Sequence, residues 1–523
     1  MAAPAPSGLS GCLLPVRRSL VHLLDRFLDS FQNVEESVKW ASDYNGGLVP
    51  VAPCKDVALW VKSGKIPDDL SGAYMRVGPN PYHWPPNKRT HVFDGDGMVH
   101  SVRIADGKAV YHCDFLDTPR LQFEKKFGAE WFTRIGEFSG WSGLAKVLLV
   151  AGKKNKLAGL AESQASTANT AIGLTPAGKL WALNEGGPPF RFRLDERGSP
   201  VSIGYDTLGG TLQENMSAHP KMDAQTGEIF FHGRVLGKKK FYASRVVDGR
   251  MTDQAMLSVH DGFHHDMFIT ENYVVIIDGS MKFGPEAIVK QKPLWMFEPE
   301  RKLRFGIWPR SEKQMTPESF QWIEAPEAAE IVHTMFGYDE DGKIILWTPL
   351  GRQDDGNETG ILGGIGDLKM HRVVIDVVKG SAEIQAVTGS HLKTEFPRVR
   401  EDRIGRRARY GYSGLQGAGE FDFVGVLKWD FEECRLVSEI RFPPGVIGGE
   451  PVFVPAGEGE DEGYVAMFLW NSKTRESTFA LFDFRTLSSE PVVELVVPDH
   501  DVPLGFHALW ITEEQFQKQL ALS

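Results

Sequence analysis

The sequence predicts an all-β protein of closed architecture, and two features of the chain support this prediction. From Val57 onward, short apolar runs of strand length are bounded by Gly, Asp and Pro, as at Met98–Ile104, Val373–Val378 and Val465–Trp470. Amphipathic helices do not separate these runs over most of the chain, which is typical of closed all-β folds. No repeat of fixed period is visible, so on this pattern alone a β-propeller is one candidate among several.

Length and charge narrow the class of protein. The 523 residues carry a net charge of −11, whereas a general nucleic-acid-binding protein needs a basic face. At roughly 150 residues per domain the length suggests three domains, although propellers run longer as single units. We expect residues 1–50 to form a flexible N-terminus with an amphipathic helix, and residues 51–520 to form a single β-propeller domain with a helical insertion at about 128–160.

The four cysteines, Cys12, Cys54, Cys113 and Cys434, lie far apart and form no C-x-x-C pair. This usage fits a reducing compartment and argues against a thiolate zinc site of the usual kind. No window of about 18 uninterrupted apolar residues is present, so the sequence predicts no membrane-spanning helix.

The N-terminal segment combines a small-residue stretch with a helical pattern. Residues 1–12 are predicted to be disordered, and Arg17–Phe31 has apolar residues at helical spacing. This helix either packs on the core or lies in a membrane interface, and the two interpretations are equally supported. Asp25, Arg26 and Asp29 interrupt any apolar signal core, which argues against secretion. The N-terminal segment is also compatible with a plastid transit peptide, so we expect the protein in the plastid or the cytoplasm.

A helical insertion between Ala129 and Leu160 breaks the β pattern. Its apolar side chains recur at helical steps and include Trp131, Phe132, Phe138 and Trp141. Such a stretch is either a lid over the core or a patch that dips into a membrane. The basic cluster Lys153–Lys156 follows directly, which favours the membrane patch.

Four histidines lie in turn or strand-edge contexts among small or apolar neighbours, namely His219, His265, His333 and His507. They are so far apart that they could meet only if the chain closes into a ring, which a propeller provides. Four neutral imidazoles suit a divalent metal such as iron, copper, zinc or nickel. Three carboxylates in apolar surroundings could orient the rings, namely Glu185, Glu395 and Glu450.

Several longer motifs resemble the carotenoid cleavage oxygenase family, which includes plant carotenoid dioxygenases, 9-cis-epoxycarotenoid dioxygenases and microbial apocarotenoid and stilbene-cleaving oxygenases. The resemblance covers about residues 55–515, and its order and spacing make coincidence implausible. The matching stretches are Arg76-Val-Gly-Pro-Asn-Pro81, His91-Val-Phe-Asp-Gly-Asp-Gly-Met-Val-His100, Ala168-Asn-Thr170, Leu180-Trp-Ala-Leu-Asn-Glu185, Ala218-His-Pro-Lys221, His265-Asp-Met-Phe-Ile-Thr-Glu-Asn-Tyr273, Arg304-Phe-Gly-Ile-Trp-Pro309, Glu395-Phe-Pro-Arg398, Gly449-Glu-Pro-Val-Phe-Val-Pro455 and Val502-Pro-Leu-Gly-Phe-His507.

The resemblance implies a seven-bladed β-propeller with a helical cap over the metal-bearing face. It implies iron(II) held by the four histidines, with the three glutamates bonded to three of the rings. Thr170 is expected to crowd the remaining position that faces the metal. The implied reaction adds both atoms of O₂ across one conjugated C=C bond of a carotenoid or apocarotenoid and yields two carbonyl products. Because such a polyene must be drawn from a membrane, peripheral membrane contact is expected.

Two alternatives stay open at this point: cleavage of a stilbene, and an iron-dependent retinoid or carotenoid isomerase. One departure from the family pattern bears on the site. The family often has Val-Met-Met-His-Asp before the second ligand, whereas this chain has Asp261-Gly-Phe-His264-His265-Asp. His264 is therefore an additional imidazole, and the alignment rather than the chemistry selects His265. Cys113–Thr118 also departs from the family pattern, which puts the substrate lining near it in doubt.

Overall fold

The computed structural model describes residues 9–235, 240–354, 362–363, 365–388, 391–419 and 421–522. Most of the regular secondary structure in this part of the chain is β-sheet, almost all of it antiparallel, which confirms the all-β prediction. Four of the sheets are four-stranded and each follows the chain closely. Their strands are Ala171–Leu174, Leu180–Leu183, Phe190–Leu194 and Pro200–Tyr205; Lys221–Met222, Ile229–Val235, Lys240–Val247 and Arg250–Leu257; Met267–Ile269, Tyr273–Asp278, Arg304–Pro309 and Gln321–Glu324; and Phe336–Glu340, Lys343–Leu350, Lys369–Asp376 and Ser381–Ala386.

A larger sheet contains most of the C-terminal strands. Its hydrogen-bonded path runs through Trp60–Gly64, Val493–Val496, Glu476–Asp483, Gly463–Asn471, Val446–Gly448, Phe423–Asp430, Tyr410–Gln416 and Thr394–Arg398, with Arg435–Arg441 and Val452–Pro455 paired beside it. A small sheet consists of Met281–Phe283, Trp295–Phe297 and Leu362–Gly363.

The remaining sheet joins the beginning of the β-domain to its end. Its strands are, in spatial order, Cys54–Ala58, Lys108–Phe115, Asp96–Ala105, Gly72–Asn80 and Ala508–Thr512. Arg76 lies opposite Ala508 in the antiparallel register, and Trp60 lies opposite Val496 in the larger sheet. These two pairings close the chain on itself.

The hairpin turns follow from the sequence. Asp106 and Gly107 have φ angles of 51° and 66° between paired strands, and Asp341 and Gly342 have 49° and 74°. A two-residue hairpin needs positive φ at both central positions because its twist must match that of the strands, and Asp-Gly provides this at low cost. Between neighbouring sheets the core is filled by fully buried aromatic side chains, including Trp181, Trp308, Trp347, Trp429 and Trp470.

The helices lie outside the sheets. They are Leu9–Asp29, Val34–Ser37, Pro119–Phe127, Gly140–Lys146, a π-helical turn Val147–Ala151, Gly152–Ala158, Pro285–Lys290 and Glu513–Ala521, with 3₁₀ turns at Lys39–Asn45, Ile135–Glu137, Glu162–Ala165, Pro317–Ser319 and Glu401–Arg403. The N-terminal helix begins at Leu9 rather than Arg17, so residues 9–12 are helical although disorder was predicted for them; residues 1–8 lie outside the described part of the chain. Within the described residues, no helix is both long and apolar enough to cross a membrane.

The N-terminal helix packs with its charged side inward. Asp25 is completely buried and accepts a hydrogen bond from Lys88 Nζ at 2.5 Å, and it also pairs with Lys154. Asp29, Glu137 and Lys146 extend this buried network of charges. Several apolar side chains of the helix point outward instead: Val16, Leu20, Leu23 and Phe27 are more than half exposed, as is Phe31 just beyond its C-terminal end. A helix in water normally has the opposite arrangement.

This packing corrects the predicted membrane patch. Trp131 and Phe132 are buried: His22 of the N-terminal helix stacks on Trp131, and Phe132 packs against Phe123 and Arg120. The prediction that these two residues form an exposed patch is wrong. Lys154, part of the basic cluster that favoured the patch, is likewise buried. Trp141 remains 73% exposed, and Leu148, next along the insertion, is equally exposed.

Candidate metal centre

The four predicted histidines come together at one point. Each precedes a strand at the edge of a different sheet: His219 before Lys221–Met222, His265 before Met267–Ile269, His333 before Phe336–Glu340, and His507 before Ala508–Thr512. Their ligand nitrogens all lie within 4.8 Å of one another. The Nε2 atom of His265 is 3.0 Å from that of His219 and 3.1 Å from that of His333, and His333 and His507 are also separated by 3.1 Å.

Three of the imidazole rings direct Nε2 towards the centre and contact one of the predicted carboxylates through Nδ1. Glu185 Oε1 lies 2.7 Å from His265 Nδ1, Glu395 Oε2 lies 2.6 Å from His333 Nδ1, and Glu450 Oε1 lies 2.9 Å from His507 Nδ1. Glu395 and Glu450 accept hydrogen bonds from Nδ1–H, which fixes the tautomer and orientation of their rings, whereas Glu185 meets His265 as an ion-pair contact. For His219, the described residues show no carboxylate at this distance.

This arrangement fits a bound cation. If Nδ1 carries the proton on three rings, their Nε2 atoms carry only lone pairs, and these face one another at about van der Waals distance or less. Such nitrogens cannot share hydrogen bonds among themselves, and their mutual repulsion disappears when a cation accepts all of the lone pairs. Neutral imidazoles are good ligands for divalent first-row metals, so the residues present fit a metal centre.

The charge state of the rings supports the same conclusion. Burial, and after it the three neighbouring imidazoles, hold the pKa of His219 well below its ordinary value. Burial also lowers the pKa of His507. Burial acts in the same direction on His333, but the charge of Glu395 and its hydrogen bond outweigh it and raise the pKa of this ring. At neutral pH His219 and His507 are therefore neutral and available as ligands.

Arg398 keeps one of the carboxylates charged. Although burial opposes ionisation of Glu450, the Arg398 guanidinium, with Nη1 3.0 Å from Oε2, and then His507 lower the pKa of Glu450 to about 2. The backbone N–H of Ala508 donates to the same Oε2 at 2.6 Å. Arg398 also donates to the Ala508 carbonyl at 2.8 Å, so it fastens the strand that follows His507.

A second buried carboxylate joins three of the histidine-bearing segments. Asp266, next to His265, receives Lys221 Nζ at 2.7 Å and both the N–H and the hydroxyl of Thr334 at 2.8 Å. Lys221 lies two residues after His219, and Thr334 follows His333. We did not single out Asp266, Lys221 or Arg398 as site residues from the sequence, although all three occur within the motifs that carry the family resemblance.

Phe396 contributes an unusual backbone conformation. Its φ of 52° lies in the left-handed region, which costs energy for a side chain of this size. Its N–H donates to Glu395 Oε2 at 2.6 Å, and its ring centroid lies 5.2 Å from that of His507 and 5.8 Å from that of His333. The strained turn thus places both a carboxylate and an apolar ring against the histidines.

Thr170 lies near the centre and is fixed by amide side chains. Its hydroxyl donates to Asn169 Oδ1 and accepts from Asn184 Nδ2, both at 3.1 Å. Its carbonyl accepts the N–H of His507 at 3.3 Å. Thr170 also lines the large cavity described next.

Two cavities reach the histidines. The larger, about 1510 Å³, is lined by His265, His333 and His507 together with many aromatic side chains, among them Phe93, Phe138, Phe263, Trp295, Phe421 and Phe506. The smaller, about 530 Å³, reaches His219, His333 and His507 from residues that include Lys221, Asp266 and Arg398. Cavities of this size with aromatic walls bind large apolar ligands, and a small number of polar side chains in the wall set the orientation of the ligand. Of the predicted patch residues, Phe138 lines the larger cavity.

The sheets and the four convergent imidazoles beside an aromatic cavity define a protein of the β-propeller class with a candidate metal centre that faces a site for a large ligand. A family model described as retinal pigment epithelial membrane protein matches residues 50–512. The chain therefore belongs to this family, the carotenoid oxygenases, which confirms the resemblance found in the sequence.

Curated relatives cover most of the chain. Carotenoid 9,10(9′,10′)-cleavage dioxygenase 1 of Arabidopsis thaliana is 33% identical over 509 residues, 91% of this chain and 90% of that protein. The enzyme of the same name from Phaseolus vulgaris is 32% identical over 504 residues, with the same coverage. The chloroplastic 9-cis-epoxycarotenoid dioxygenase NCED1 of Oryza sativa subsp. japonica is 31% identical and covers 90% of this chain and 75% of that protein.

Solved structures agree in fold. Lignostilbene dioxygenase of Pseudomonas brassicacearum superposes with a TM-score of 0.73 at 22% identity, covering 88% of this chain and 96% of that chain. A Glu150Gln mutant of Synechocystis apocarotenoid oxygenase also gives 0.73, at 23% identity and coverage of 89% and 98%. These likenesses confirm the fold class, whereas the number of seven blades stays a prediction.

Proposed function

We propose that this protein is an iron(II)-dependent dioxygenase that cleaves a conjugated C=C bond of a carotenoid or apocarotenoid with O₂ and releases two carbonyl products. One observation carries the proposal: the imidazole nitrogens of four histidines converge at one point, and three of these histidines line a large cavity with many aromatic side chains. Relatives more than 30% identical along nearly the whole chain are named as carotenoid cleavage dioxygenases. Iron(II), when bound, would supply the binding and activation of O₂.

The protein residues hold and orient the metal. His219, His265, His333 and His507 would be its ligands, through Nε2. Glu185, Glu395 and Glu450 keep three of the rings in one tautomer and one orientation, and Arg398 keeps Glu450 ionised. Thr170, whose carbonyl accepts the N–H of His507, would narrow the space that is left beside the four rings. The expected result is a site that admits a small molecule such as O₂.

The cavity places the substrate. A polyene offers no charged group and almost no hydrogen bonds, so its position depends on the shape of an apolar channel. Phe263 stacks on the His265 ring, with centroids 5.3 Å apart, and borders the cavity beside the centre. Aromatic walls exclude water and hold one double bond next to the metal site, which accelerates reaction by orientation. No acidic or basic side chain is needed for proton transfer in the overall reaction, because O₂ and the alkene combine without loss of a proton.

The outward apolar face of the N-terminal helix would bring the enzyme to its substrate. Leu20, Leu23 and Phe27 are each at least 60% exposed, and Trp141 and Leu148 of the insertion are also exposed. The helix is fixed to the insertion, since Arg18 Nε donates to the Leu157 carbonyl at 2.8 Å. An apolar surface of this kind is suited to the interface of a membrane from which carotenoids are extracted. We expect a peripheral membrane protein of the plastid or the cytoplasm.

Oxygen uptake and product masses test the proposed reaction. Iron-loaded protein should be incubated separately with β-carotene, zeaxanthin, an apocarotenal and a phenolic stilbene. We expect one O₂ consumed per polyene and two aldehyde or ketone fragments whose masses add up to substrate plus O₂. Cleavage of the stilbene alone would favour the stilbene alternative. An isomerised polyene without oxygen uptake would favour an isomerase and overturn the dioxygenase proposal.

A further inference from the structure

Two cysteines and one histidine form a second cluster, away from the four-histidine centre. Cys54 Sγ lies 3.4 Å from Cys113 Sγ, and Cys113 Sγ lies 3.5 Å from His500 Nε2. The three ligand atoms all fall within 4.8 Å of one another. From these contacts we propose that Cys54, Cys113 and His500 bind a second metal ion of the thiolate-preferring class, with Zn²⁺ as the natural occupant.

Strand pairing explains why residues so distant in sequence meet. Cys54 and His100 are the partners of Cys113 on the two strands that flank it, and Arg76 is the next partner in the same row. Side chains opposite one another on neighbouring antiparallel strands lie on the same face of the sheet. His500 approaches this face from the segment that leads to His507, and its ring lies 5.6 Å from that of Tyr111.

The distances suit a metal better than a disulfide. Two thiolates about 2.3 Å from one tetrahedral zinc ion are about 3.8 Å apart, and a thiolate and an imidazole nitrogen are about 3.5 Å apart. The observed 3.4 Å and 3.5 Å lie close to these values. A disulfide would join the two sulfurs but would have no use for the imidazole that is directed at Cys113.

The environment of Cys113 favours a thiolate. Cys113 is fully buried, whereas Cys54 and His500 are half-buried, so an ion can reach the cluster from their side. The hydrogen bond from Cys54, followed by those of His100 and His500, lowers the pKa of the Cys113 thiol although burial opposes this. Thiolate sulfur and neutral imidazole together are typical ligands of zinc. The remaining thiol proton stays on Cys54, because its hydrogen bond to Cys113 and then burial raise the pKa of the Cys54 thiol. Binding of Zn²⁺ would release this proton and leave His500 neutral.

A metal ion here would connect the two ends of the β-domain. Cys54 lies on an outer strand near its beginning, and His500 lies between the strand Val493–Val496 and His507. The same segment is held by Arg76, which donates to the Pro503 carbonyl, and by Ser477, whose hydroxyl accepts the N–H of Val502 at 2.8 Å. The second metal would therefore act as a structural clamp on the segment that delivers the fourth histidine.

Cobalt titration tests the proposal, because Co²⁺ substitutes for zinc and its bonds to thiolate give an intense charge-transfer band that imidazole ligands do not. Iron-loaded protein, reduced with a phosphine, should be titrated with Co²⁺ and then with Zn²⁺. We expect one Co²⁺ per chain bound with the thiolate band, and loss of the band when Zn²⁺ is added. The band should be absent in Cys54→Ser and Cys113→Ser, and affinity should fall more than tenfold in His500→Phe.

Cys434→Ser is the matched control, since Cys434 is half-buried, its thiol donates to the Phe431 carbonyl at 3.5 Å, and it does not belong to the cluster. This variant should keep the band and the stoichiometry. If Cys113→Ser fails to fold, the test depends on Cys54→Ser, whose substitution lies on the outer strand. An iron content equal to that of the wild-type protein would show that this variant is folded. Absence of the band from wild-type protein with free thiols, its survival in both serine variants, or a Cys54–Cys113 disulfide that resists the reductant would each overturn the proposal.

Discussion

His264 Nε2 lies 3.1 Å from Asp278 Oδ1, although the next residue, His265, directs its own Nε2 into the four-histidine centre. The other nitrogen of His264 is occupied as well, since Arg234 Nη1 lies 3.0 Å from Nδ1. Adjacent histidines thus have separate roles: one is bound to a buried aspartate, and the other faces three imidazoles. The choice of His265 over His264, which depended on alignment alone, now has a geometric reason.

This difference predicts opposite behaviour for two alanine variants. His265→Ala should lose most bound iron, because one of four converging nitrogens is removed and Glu185 is left without its partner. His264→Ala should keep most of its iron, whereas its free energy of unfolding should fall because Asp278 loses the contact with His264. Iron per chain, measured by elemental analysis after purification, distinguishes the two. Equal iron loss in both variants would contradict the assignment.

Removal of Arg398 should destabilise the protein and weaken metal retention together. Arg398→Met leaves the buried Glu450 carboxylate without its cation, and breaking one side of a buried ion pair costs about 3 kcal/mol. Arg441→Met is a suitable control, because Arg441 pairs with Glu439 at the surface, where a pair contributes about 0–1 kcal/mol. Urea unfolding and iron content would be measured for both. Similar losses in the two variants would argue against a special role for Arg398.

His232 should contribute a pH dependence of stability. Burial lowers its pKa to about 3, from about 6.5 in an unfolded chain. Between these values the unfolded state binds one more proton, so the free energy of unfolding rises with pH by about 1.4 kcal/mol per pH unit and gains nothing further above 6.5. His232→Phe, which can still pack against Phe241, should lack this slope. Urea unfolding from pH 4.5 to 7.5 would show it, and parallel curves for the two proteins would refute the prediction.

Membrane binding should depend on the outward face of the N-terminal helix. Replacing Leu20, Leu23 and Phe27 by Ser removes apolar surface without touching the buried Asp25, so sedimentation with carotenoid-containing liposomes should fall while iron content is kept. Trp131→Phe is the control, because Trp131 is buried and should not affect sedimentation. Unchanged sedimentation of the triple variant would show that this face serves another purpose.

Prediction from the sequence succeeded where a local pattern determines the structure. Asp-Gly turns and short apolar runs specify hairpins, so the all-β class followed from the chain itself. The four histidines that the family motifs indicated meet at one centre, and each of the three indicated glutamates contacts one of their rings. Long-range packing was harder to predict. The apolar spacing of the insertion did not reveal that His22 and the buried Asp25–Lys154 pair would cover Trp131. Nor could spacing reveal that strand pairing would join Cys54 to Cys113.

The pairing of Gly72–Asn80 with Ala508–Thr512 has a consequence for biosynthesis. His507 immediately precedes the last strand, so a nascent chain already holds three of the four histidines before the residues that supply the fourth have left the ribosome. The edge of Gly72–Asn80 that receives Ala508 therefore stays unpaired until residues 508–512 have been synthesised. The four-histidine centre is therefore complete only once residue 507 has been added, and a chain truncated before it would be an incomplete chelator with an open sheet edge.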